Sequence, residues 1–387
     1  MSNISMLALV AIAPSFMDDL KFSEFSILIA YCTIASLLLD LGLNTSTVVN
    51  YGRTKNDSFL DAAIASRLAI FSISALAWLI AIGLEHGDRI FLAVMCASAT
   101  NIWLTQRACE HAQRRHTDAA LSSLKIALAR LAALAPMYLG YSPSTIVFFV
   151  YVVPVVAFLV PAARNNRHVV GLGWWRAHSN EIWQLGTYSI RMYVAGLAYG
   201  VIPYFTQLHV SANLTANDVG SFSLLMTFAA PFALLSQAAQ AYLLPRVAQS
   251  EDAIGKLMRN FRTALNIGVC VGVIVLAVLG LGGLLQTLYG TRFMDIGVAY
   301  VVFASGYALA ALIGLHNVRA HALLIPNSFA VANWSRLFAV AVLLATWGTT
   351  LLATCAITSA VMLGGELVFA AYLTSRASGN ASKSLGG

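Results

Sequence analysis

Charged residues are scarce in this sequence. Only 10% of its 387 residues are Asp, Glu, Lys or Arg, whereas 59% are hydrophobic. A soluble domain of average composition carries roughly 25% charged residues, and a surface in contact with water cannot be built from so few. The mean hydropathy of +0.76 agrees with this. The composition therefore excludes an ordinary soluble protein and predicts a chain whose main solvent is lipid.

Cysteine pairs and the short motifs of soluble enzymes are also missing. The five cysteines are scattered and form no C-x-x-C pair, so neither a disulfide framework nor a zinc site is indicated. The sequence has no H-E-x-x-H, no Walker-type phosphate loop and no G-x-S-x-G. We therefore expect no metal, no cofactor and no catalytic residue. The net charge of +7 is spread over short loops, so no nucleic-acid partner is expected.

Apolar runs fill most of the sequence. An α-helix rises ~1.5 Å per residue, so about 20 residues cross a hydrocarbon core of ~30 Å. Twelve runs are predicted to span, at about 4–17, 25–48, 62–84, 88–106, 118–140, 143–163, 182–208, 218–242, 263–288, 294–315, 329–349 and 352–375. The first is short, so we expect either a short helix or an upstream start codon. The sequence predicts an all-α membrane protein with about twelve transmembrane helices.

The loops between these runs differ sharply in positive charge. If the N-terminus is inside, the cytoplasmic segments hold fifteen Lys and Arg residues. The opposite loops hold three, namely Lys21, Arg89 and Arg292. Because Lys and Arg concentrate on the cytoplasmic side of membrane proteins, this bias predicts that both termini are cytoplasmic.

The longest connections suggest two halves. Segment 164–181 follows the sixth run and contains Trp174, Trp175 and Arg176. Such residues favour the headgroup level, so we predict a cytoplasmic interfacial linker there. It separates an N-terminal six-helix lobe, 1–163, from a C-terminal six-helix lobe, 182–387. Lobes with an even number of helices would be parallel repeats. Arg130 of the fifth run recurs as Arg336 of the eleventh, which agrees with such a repeat.

Five basic residues lie inside the apolar runs, each costing ~2.5–3.5 kcal/mol at a helix centre. They are Arg67, Lys125, Arg130, Arg191 and Arg336. Two acids, Asp40 and Glu366, lie comparably deep. On the predicted topology all five cations lie on outward-running helices, toward the cytoplasmic end. This placement predicts a basic, substrate-binding cavity open to the cytoplasm, and snorkelling of long side chains to the interface is the alternative.

Polar side chains on neighbouring runs would line the same cavity. The second run carries a stripe at helical spacing that includes Asp40 and Asn44, and the seventh carries Gln184 and Tyr188 on the face of Arg191. The candidate cavity-lining or ion-coupling residues are Asp40, Asn44, Gln184, Tyr188, Gln240 and Glu366. Interhelical hydrogen bonding is the alternative role for the polar residues, and pairing with the buried cations is the alternative for the acids.

Three stretches carry a resemblance to a known family. They are LLLDLGLNTSTVVNYGR at 37–53, AYLLPRVAQS at 241–250 and LLQTLYGTRFMDIGVAYVVFASGYALAAL at 284–312. Together they resemble the polysaccharide flippases of the multidrug/oligosaccharidyl-lipid/polysaccharide exporter superfamily, in its O-antigen or capsule branch. The resemblance implies two six-helix lobes in a V and a cationic cavity between them.

The resemblance also implies an activity. It is the movement of an undecaprenyl-diphosphate-linked oligosaccharide, a repeat unit of O-antigen, capsule or exopolysaccharide, to the periplasmic leaflet of the bacterial inner membrane by alternating access. The implied partners are the lipid-linked substrate and membrane lipids, with polysaccharide polymerase and chain-length machinery as further candidates.

Two other functions were weighed against this one. A drug exporter of the same superfamily often carries cations, whereas five intramembrane basic residues against two acids favour an anionic substrate. A membrane-embedded polysaccharide ligase or polymerase needs a sizeable outer loop to hold a catalytic site, and the predicted outward loops are short.

Overall fold

The computed structural model describes residues 2–44, 47, 51, 55–83, 88–113, 115–165, 179–249, 261–313 and 326–384. Within them the regular structure is helical, apart from turns. The α-helices are α1 (Ser2–Ile12), α2 (Asp19–Asp40), α3 (Ser58–Gly83), α4 (Asp88–Ala112), α5 (His116–Leu131), α6 (Leu134–Tyr138), α7 (Pro143–Asn165), α8 (Ser179–Asn213), α9 (Ala216–Gln249), α10 (Phe261–Tyr289), α11 (Ile296–Ile313), α12 (Pro326–Trp347) and α13 (Leu351–Ser384). The predicted all-α class is confirmed.

Seven helical stretches among the described residues are long and apolar enough to cross a membrane. They are Asp19–Asp40, Ser58–Gly83, Thr117–Tyr138, Gly268–Tyr289, Ile296–Ile313, Ser328–Trp347 and Leu351–Ser375. Hydrocarbon offers no hydrogen-bond partners, so an apolar chain spans it as helices, which satisfy their own backbone groups. The protein is therefore a multi-pass membrane protein.

The chain divides into two compact units, and the boundary falls inside α8. Unit 1 comprises Met1–Leu197 and unit 2 comprises Ala198–Gly387. In unit 1, α4 packs against α2, α3, α5 and α7, and α5 packs against α7. In unit 2, α11 packs against α9, α10 and α13, and α12 packs against α13. Most of the predicted linker 164–181 lies outside the described residues.

The two packing patterns share four pairs when the helices are numbered by the twelve predicted runs. Helices α5 and α6 together form one span, Thr117–Tyr138. The spans of unit 1 then pair as two with four, three with four, four with six and five with six, and also as one with five, two with six and four with five. The spans of unit 2 pair as eight with ten, nine with ten, ten with twelve and eleven with twelve. A shift of six spans relates the first four pairs of unit 1 to those of unit 2, as expected for parallel repeats.

The fifth span is the one that an internal proline interrupts. Helix α5 ends at Leu131, and α6 resumes at Leu134 with Pro136 in it. Pro203, in contrast, lies inside the continuous helix α8. The short first span ends in a 3-10 turn, Ala13–Ser15, that contains Pro14. Proline removes a backbone donor, which agrees with the break before Pro136 and with the turn at Pro14.

Candidate functional site

Helix α2 ends abruptly within its apolar run. Leu41 and Gly42 both have positive φ angles, of 48° and 69°, so the helical hydrogen-bond ladder stops at Asp40. The last four carbonyls of a helix have no partner within it. In α2 these carbonyls belong to residues 37–40, and inside a membrane they must find other donors.

Arg67 of α3 supplies the donors for the last two carbonyls. Its Nη1 donates to the carbonyl oxygen of Leu39, and its Nη2 donates to that of Asp40 at 2.9 Å. Nη2 also lies 2.8 Å from Asp40 Oδ1, forming an ion pair. Only 1% of the Arg67 side chain is exposed, against 29% for Asp40. The guanidinium therefore both caps the helix end and neutralises the carboxylate.

Tyr193 of α8 supplies the donor for the other two carbonyls. Its hydroxyl lies 2.6 Å from the carbonyl oxygen of Leu37 and 2.7 Å from that of Leu38. The hydroxyl has one proton, which the two carbonyls share. Arg67 and Tyr193 together thus satisfy all four carbonyls at the broken end of α2.

A ring of side-chain hydrogen bonds closes around the ion pair. Asp40 Oδ1 also accepts from Asn44 Nδ2 at 2.7 Å. Asn44 Oδ1 accepts from Thr105 Oγ1 of α4 at 2.6 Å, and Thr105 Oγ1 accepts from Arg67 Nε at 2.9 Å. Each nitrogen of Arg67 is therefore engaged, so in this conformation the predicted substrate contact at Arg67 is occupied by the protein itself.

The other members of the polar stripe on the second run are Thr33, Ser36 and Thr47, and they also form hydrogen bonds within unit 1. Ser36 Oγ donates to Asn101 Oδ1 at 2.9 Å, and Asn101 Nδ2 donates back to the Ser36 carbonyl at 3.0 Å. Thr33 and Thr47 donate to carbonyls four residues earlier. In this conformation the stripe makes interhelical and local hydrogen bonds, which was the alternative to lining a cavity.

Arg130 is buried in unit 1 near the end of α5. Its guanidinium carbon lies 5.8 Å from the ring centre of Trp103 on α4 and 5.6 Å from that of Tyr151 on α7. A cation over an aromatic face gains about 0.5–2 kcal/mol, more as it is desolvated. These rings hold the arginine inside the unit, with 6% of its surface exposed.

Arg336 occupies the matching span of unit 2 and is also buried. Its Nη1 donates to Glu366 Oε1 of α13 at 2.7 Å and to Asn333 Oδ1 at 3.0 Å. Its guanidinium carbon lies 5.8 Å from the ring centre of Tyr199. Within the described part of the chain, its Nε and Nη2 are buried and have no hydrogen-bond partner. Arg336 therefore keeps N–H donors that the protein does not use.

A glycine on α13 makes room for this arginine. A Cβ on Gly365 would overlap Arg336 Nε and lie 2.7 Å from its Cγ and Cδ. The neighbouring Gly364 has open space instead, with nothing within 4 Å of such a Cβ. Gly365 thus leaves room for the Arg336 side chain to pack against α13 and reach Glu366.

The remaining predicted residues lie elsewhere or outside the description. Lys125 of α5 is exposed on the surface of unit 1, whereas Arg130, five residues on, is buried. The backbones of Gln184, Tyr188, Arg191 and Gln240 lie in α8 and α9, but their side chains are outside the described part. Their roles stay predictions.

One buried acid, Glu110 of α4, is not among the residues that the sequence pattern predicts for the site. Only 8% of it is exposed. Its Oε1 accepts from Gln106 Nε2 at 3.3 Å and from Ser122 Oγ at 3.2 Å. Glu110 is therefore a buried acid that lies beyond the apolar run of α4. The described Cys, His, Asp and Glu residues form no cluster that could hold a metal ion.

Two solved structures have folds similar to that of this protein. No family model and no curated protein matches the sequence. The chain is similar to a solved structure of a multidrug resistance MATE family transporter of the MOP superfamily, in an inward-facing conformation. The TM-score is 0.68, the sequence identity is 12%, and the match covers 98% of this chain and 95% of that one. It is also similar to the lipid II flippase MurJ in an inward closed conformation, with a TM-score of 0.58 and 14% identity over 97% of this chain and 87% of that one. The protein has the fold of the MOP-superfamily transporters.

Proposed function

We propose that this protein is a flippase that moves an undecaprenyl-diphosphate-linked oligosaccharide from the cytoplasmic to the periplasmic leaflet of a bacterial inner membrane. The oligosaccharide is a repeat unit of O-antigen, capsule or exopolysaccharide. The fold supports transport rather than catalysis, because the two solved structures reported above are a transporter and a flippase. The motif resemblance supports the polysaccharide branch.

The observation that carries the proposal is the state of Arg336. Glu366 neutralises the cation through Nη1 alone, at 2.7 Å, and leaves Nε and Nη2 without a partner in the described residues. A buried donor without an acceptor costs about 1–3 kcal/mol. Phosphate oxygens would satisfy these donors, and a guanidinium binds phosphate through two parallel bonds. An anionic head group therefore gains more here than a cationic drug would.

The other basic residues predicted to contact the substrate are proposed for different roles. Arg130 lies in the span of unit 1 that corresponds to the span of Arg336, and we propose it as the matching contact. Arg191 remains a proposed phosphate contact from the sequence. Arg67 and Lys125 have at most a supporting role, because Arg67 is occupied by α2 and Lys125 is exposed. Movement of the units would then expose the bound head group to alternate sides.

Neutralising both members of the buried pair tests this function. In a strain that lacks the gene, the double variant Arg336→Gln/Glu366→Gln should reach the membrane but fail to restore surface polysaccharide, and lipid-linked oligosaccharide should accumulate inside. The double variant leaves no buried charge uncompensated, so it separates loss of the donors from loss of the fold. Arg336→Lys should restore only part of the polysaccharide, because an ammonium cannot bind in bidentate fashion.

An exposed ion pair gives the matched control. Arg89 and Glu24 lie 2.6 Å apart, with 61% and 32% of their side chains exposed, so Arg89→Gln/Glu24→Gln should restore polysaccharide fully. Normal polysaccharide from the folded Arg336→Gln/Glu366→Gln variant would contradict the proposed role of Arg336. If deletion of the gene lowers drug resistance and leaves surface polysaccharide unchanged, the drug-exporter function would be favoured instead.

The proposed topology has its own test. A cysteine placed at Ala212, near the end of α8, should be labelled by an impermeant thiol reagent from outside, and a cysteine at Asn166 should not, because the loop charges place these positions on opposite sides. Cys270 is the exposed cysteine, whereas Cys32, Cys96, Cys109 and Cys355 are buried. Cys270→Ser therefore gives a suitable background. The reverse labelling pattern would contradict cytoplasmic termini.

A further inference from the structure

Glu110 is a buried carboxylate that the protein satisfies only in part. It lies in the last turn of α4, and 8% of its surface is exposed. Its Oε2 is buried and has no hydrogen-bond partner among the described residues. Its Oε1 accepts from Gln106 Nε2 at 3.3 Å and from Ser122 Oγ of α5 at 3.2 Å. A carboxylate usually accepts at ~2.7–2.9 Å from a charged nitrogen and at ~2.5–2.7 Å from a hydroxyl, so both bonds are long.

The described basic side chains near Glu110 in sequence are engaged with other groups. Arg107 lies over Trp103, with its guanidinium carbon 5.7 Å from the ring centre, and Arg115 pairs with Asp118 at 2.7 Å. The ion pairs among the described residues do not include Glu110. An ionised carboxylate is costly to bury without a counter-charge, and a protonated one would still leave Oε2 without a partner. A bound cation would satisfy both oxygens.

The groups around the carboxylate can all present oxygen atoms. Ser122 offers its hydroxyl oxygen, and Glu110 offers both carboxylate oxygens. The amide of Gln106 turns about a torsion with two broad minima, so a half-turn puts its carbonyl oxygen where Nε2 lies. Carboxylate, carbonyl and hydroxyl oxygens are the ligands of hard cations. The set contains a single acid and three kinds of oxygen donor from two helices of unit 1.

The spacing and the charge select one cation. Two ligands at right angles are ~3.3–3.7 Å apart around an ion the size of Ca²⁺, and only ~2.8–3.0 Å apart around Mg²⁺. The spacings of 3.2 Å and 3.3 Å at Glu110 Oε1 are close to the first range. Na⁺ has nearly the radius of Ca²⁺ but one charge, which a single carboxylate neutralises, whereas a divalent ion would leave a buried charge uncompensated. We propose that Glu110, Gln106 and Ser122 form a Na⁺ site between α4 and α5.

The position of the site gives the ion both access and an effect. Gln106 and Ser122 are half-buried, and Glu110 lies beyond the apolar run that ends at 106, so water can deliver the ion. The same two helices hold Arg130 of α5 against Trp103 of α4. An ion that joins α4 to α5 therefore stabilises unit 1 and steadies this contact. The site lies within one unit and does not depend on the proposed flippase function.

Thermal unfolding in different salts tests the site without measuring transport. The full-length protein in detergent is unfolded in choline chloride, and Na⁺, K⁺, Mg²⁺ or Ca²⁺ replaces choline at constant ionic strength. Na⁺ should raise the unfolding midpoint most, because a ligand that binds only the folded state stabilises it. Above the half-saturating concentration, each tenfold increase in Na⁺ should add about 1.4 kcal/mol.

Three variants locate the response. Glu110→Gln keeps the size of the side chain and removes its charge, so it should abolish the rise with Na⁺. Ser122→Ala keeps the carboxylate and removes one ligand, so it should raise the half-saturating Na⁺ concentration severalfold, and it decides the question if Glu110→Gln does not fold. Glu24→Gln is the matched control, because it removes one negative charge from a carboxylate that pairs with Arg89. It should respond to Na⁺ as the wild-type protein does.

The contrary results are equally definite. Equal unfolding midpoints of the wild-type protein in all the salts would overturn the inference. A Na⁺ response that survives Glu110→Gln, or that Ser122→Ala leaves unchanged, would put the ion elsewhere and overturn it too. An equal response to K⁺ would overturn the assignment to Na⁺. None of these results would affect the proposed flippase function, which the polysaccharide assay tests separately.

Discussion

Arg67→Ala should lower the free energy of unfolding by about 3–5 kcal/mol, the usual cost of removing one partner of a buried ion pair. Two losses in unit 1 contribute to this destabilisation. Asp40 loses its counter-ion at 2.8 Å, and the carbonyls of Leu39 and Asp40 lose their donor. Proteins have ~5–15 kcal/mol of stability in total, so the variant should be nearly absent from membranes. Protein level and the thermal unfolding midpoint in detergent measure this.

Two further variants separate the ion pair from the helix cap. Asp40→Asn leaves Arg67 bonded to both carbonyls and facing the negative end of the α2 dipole, so it should cost clearly less than Arg67→Ala. Arg89→Ala removes an exposed pair and should cost no more than ~1 kcal/mol. If Asp40→Asn proves as damaging as Arg67→Ala, the charge pair rather than the cap stabilises this end of α2.

The fold was predictable because hydropathy alone determines which segments can lie in lipid. The run predicted at 62–84 is α3, Ser58–Gly83, and the run at 294–315 contains α11, Ile296–Ile313. The ends were less predictable where a helix continues past the apolar run. The fourth predicted run ends at residue 106, but α4 continues to Ala112. Packing, not hydropathy, buries the polar last turns of α4, and this is why Glu110 was missed.

The candidate site was predictable in its residue types but not in its connections. The sequence placed Asp40 and Arg67 deep in neighbouring runs, and pairing between them was one stated alternative. Nothing local indicated Tyr193 or Thr105 as their companions, because these residues are brought in by packing across positions far apart in the chain. The positive φ angles of Leu41 and Gly42 were also invisible, although the Asp-Leu-Gly-Leu sequence at 40–43 contains the glycine that such a break favours.

The same limit explains why the basic residues of the apolar runs have different surroundings. Lys125 and Arg130 are five residues apart, roughly 140° around a helix, so they cannot both point straight into one cavity, and the structure exposes the first and buries the second. Spacing could not indicate that Arg336 would meet Glu366, 30 residues away. That contact depends on how α12 lies on α13, and the glycine pair at 364–365 reads in sequence only as a site of close helix packing.

Gly365→Ala should be damaging, and Gly364→Ala should be harmless. The added methyl at 365 overlaps Arg336 Nε, so the guanidinium must leave its place beside Glu366. Overpacking of this kind costs about 1–3 kcal/mol. At 364 the methyl meets open space, and replacing a helical glycine with alanine gains up to ~1 kcal/mol of helix propensity. Thermal unfolding of the two purified variants, one residue apart, measures the difference.

The damage at 365 should disappear when Arg336 no longer needs the space. In the Arg336→Gln/Glu366→Gln background the shorter, neutral side chain leaves room for a methyl, so adding Gly365→Ala should cost much less than it does in the wild-type protein. Such non-additivity is the expected sign of two residues in contact. If Gly365→Ala destabilises both backgrounds equally, the glycine serves helix packing alone. The position of Arg336 over α13, and the two donors it offers to a phosphate there, would then need another explanation.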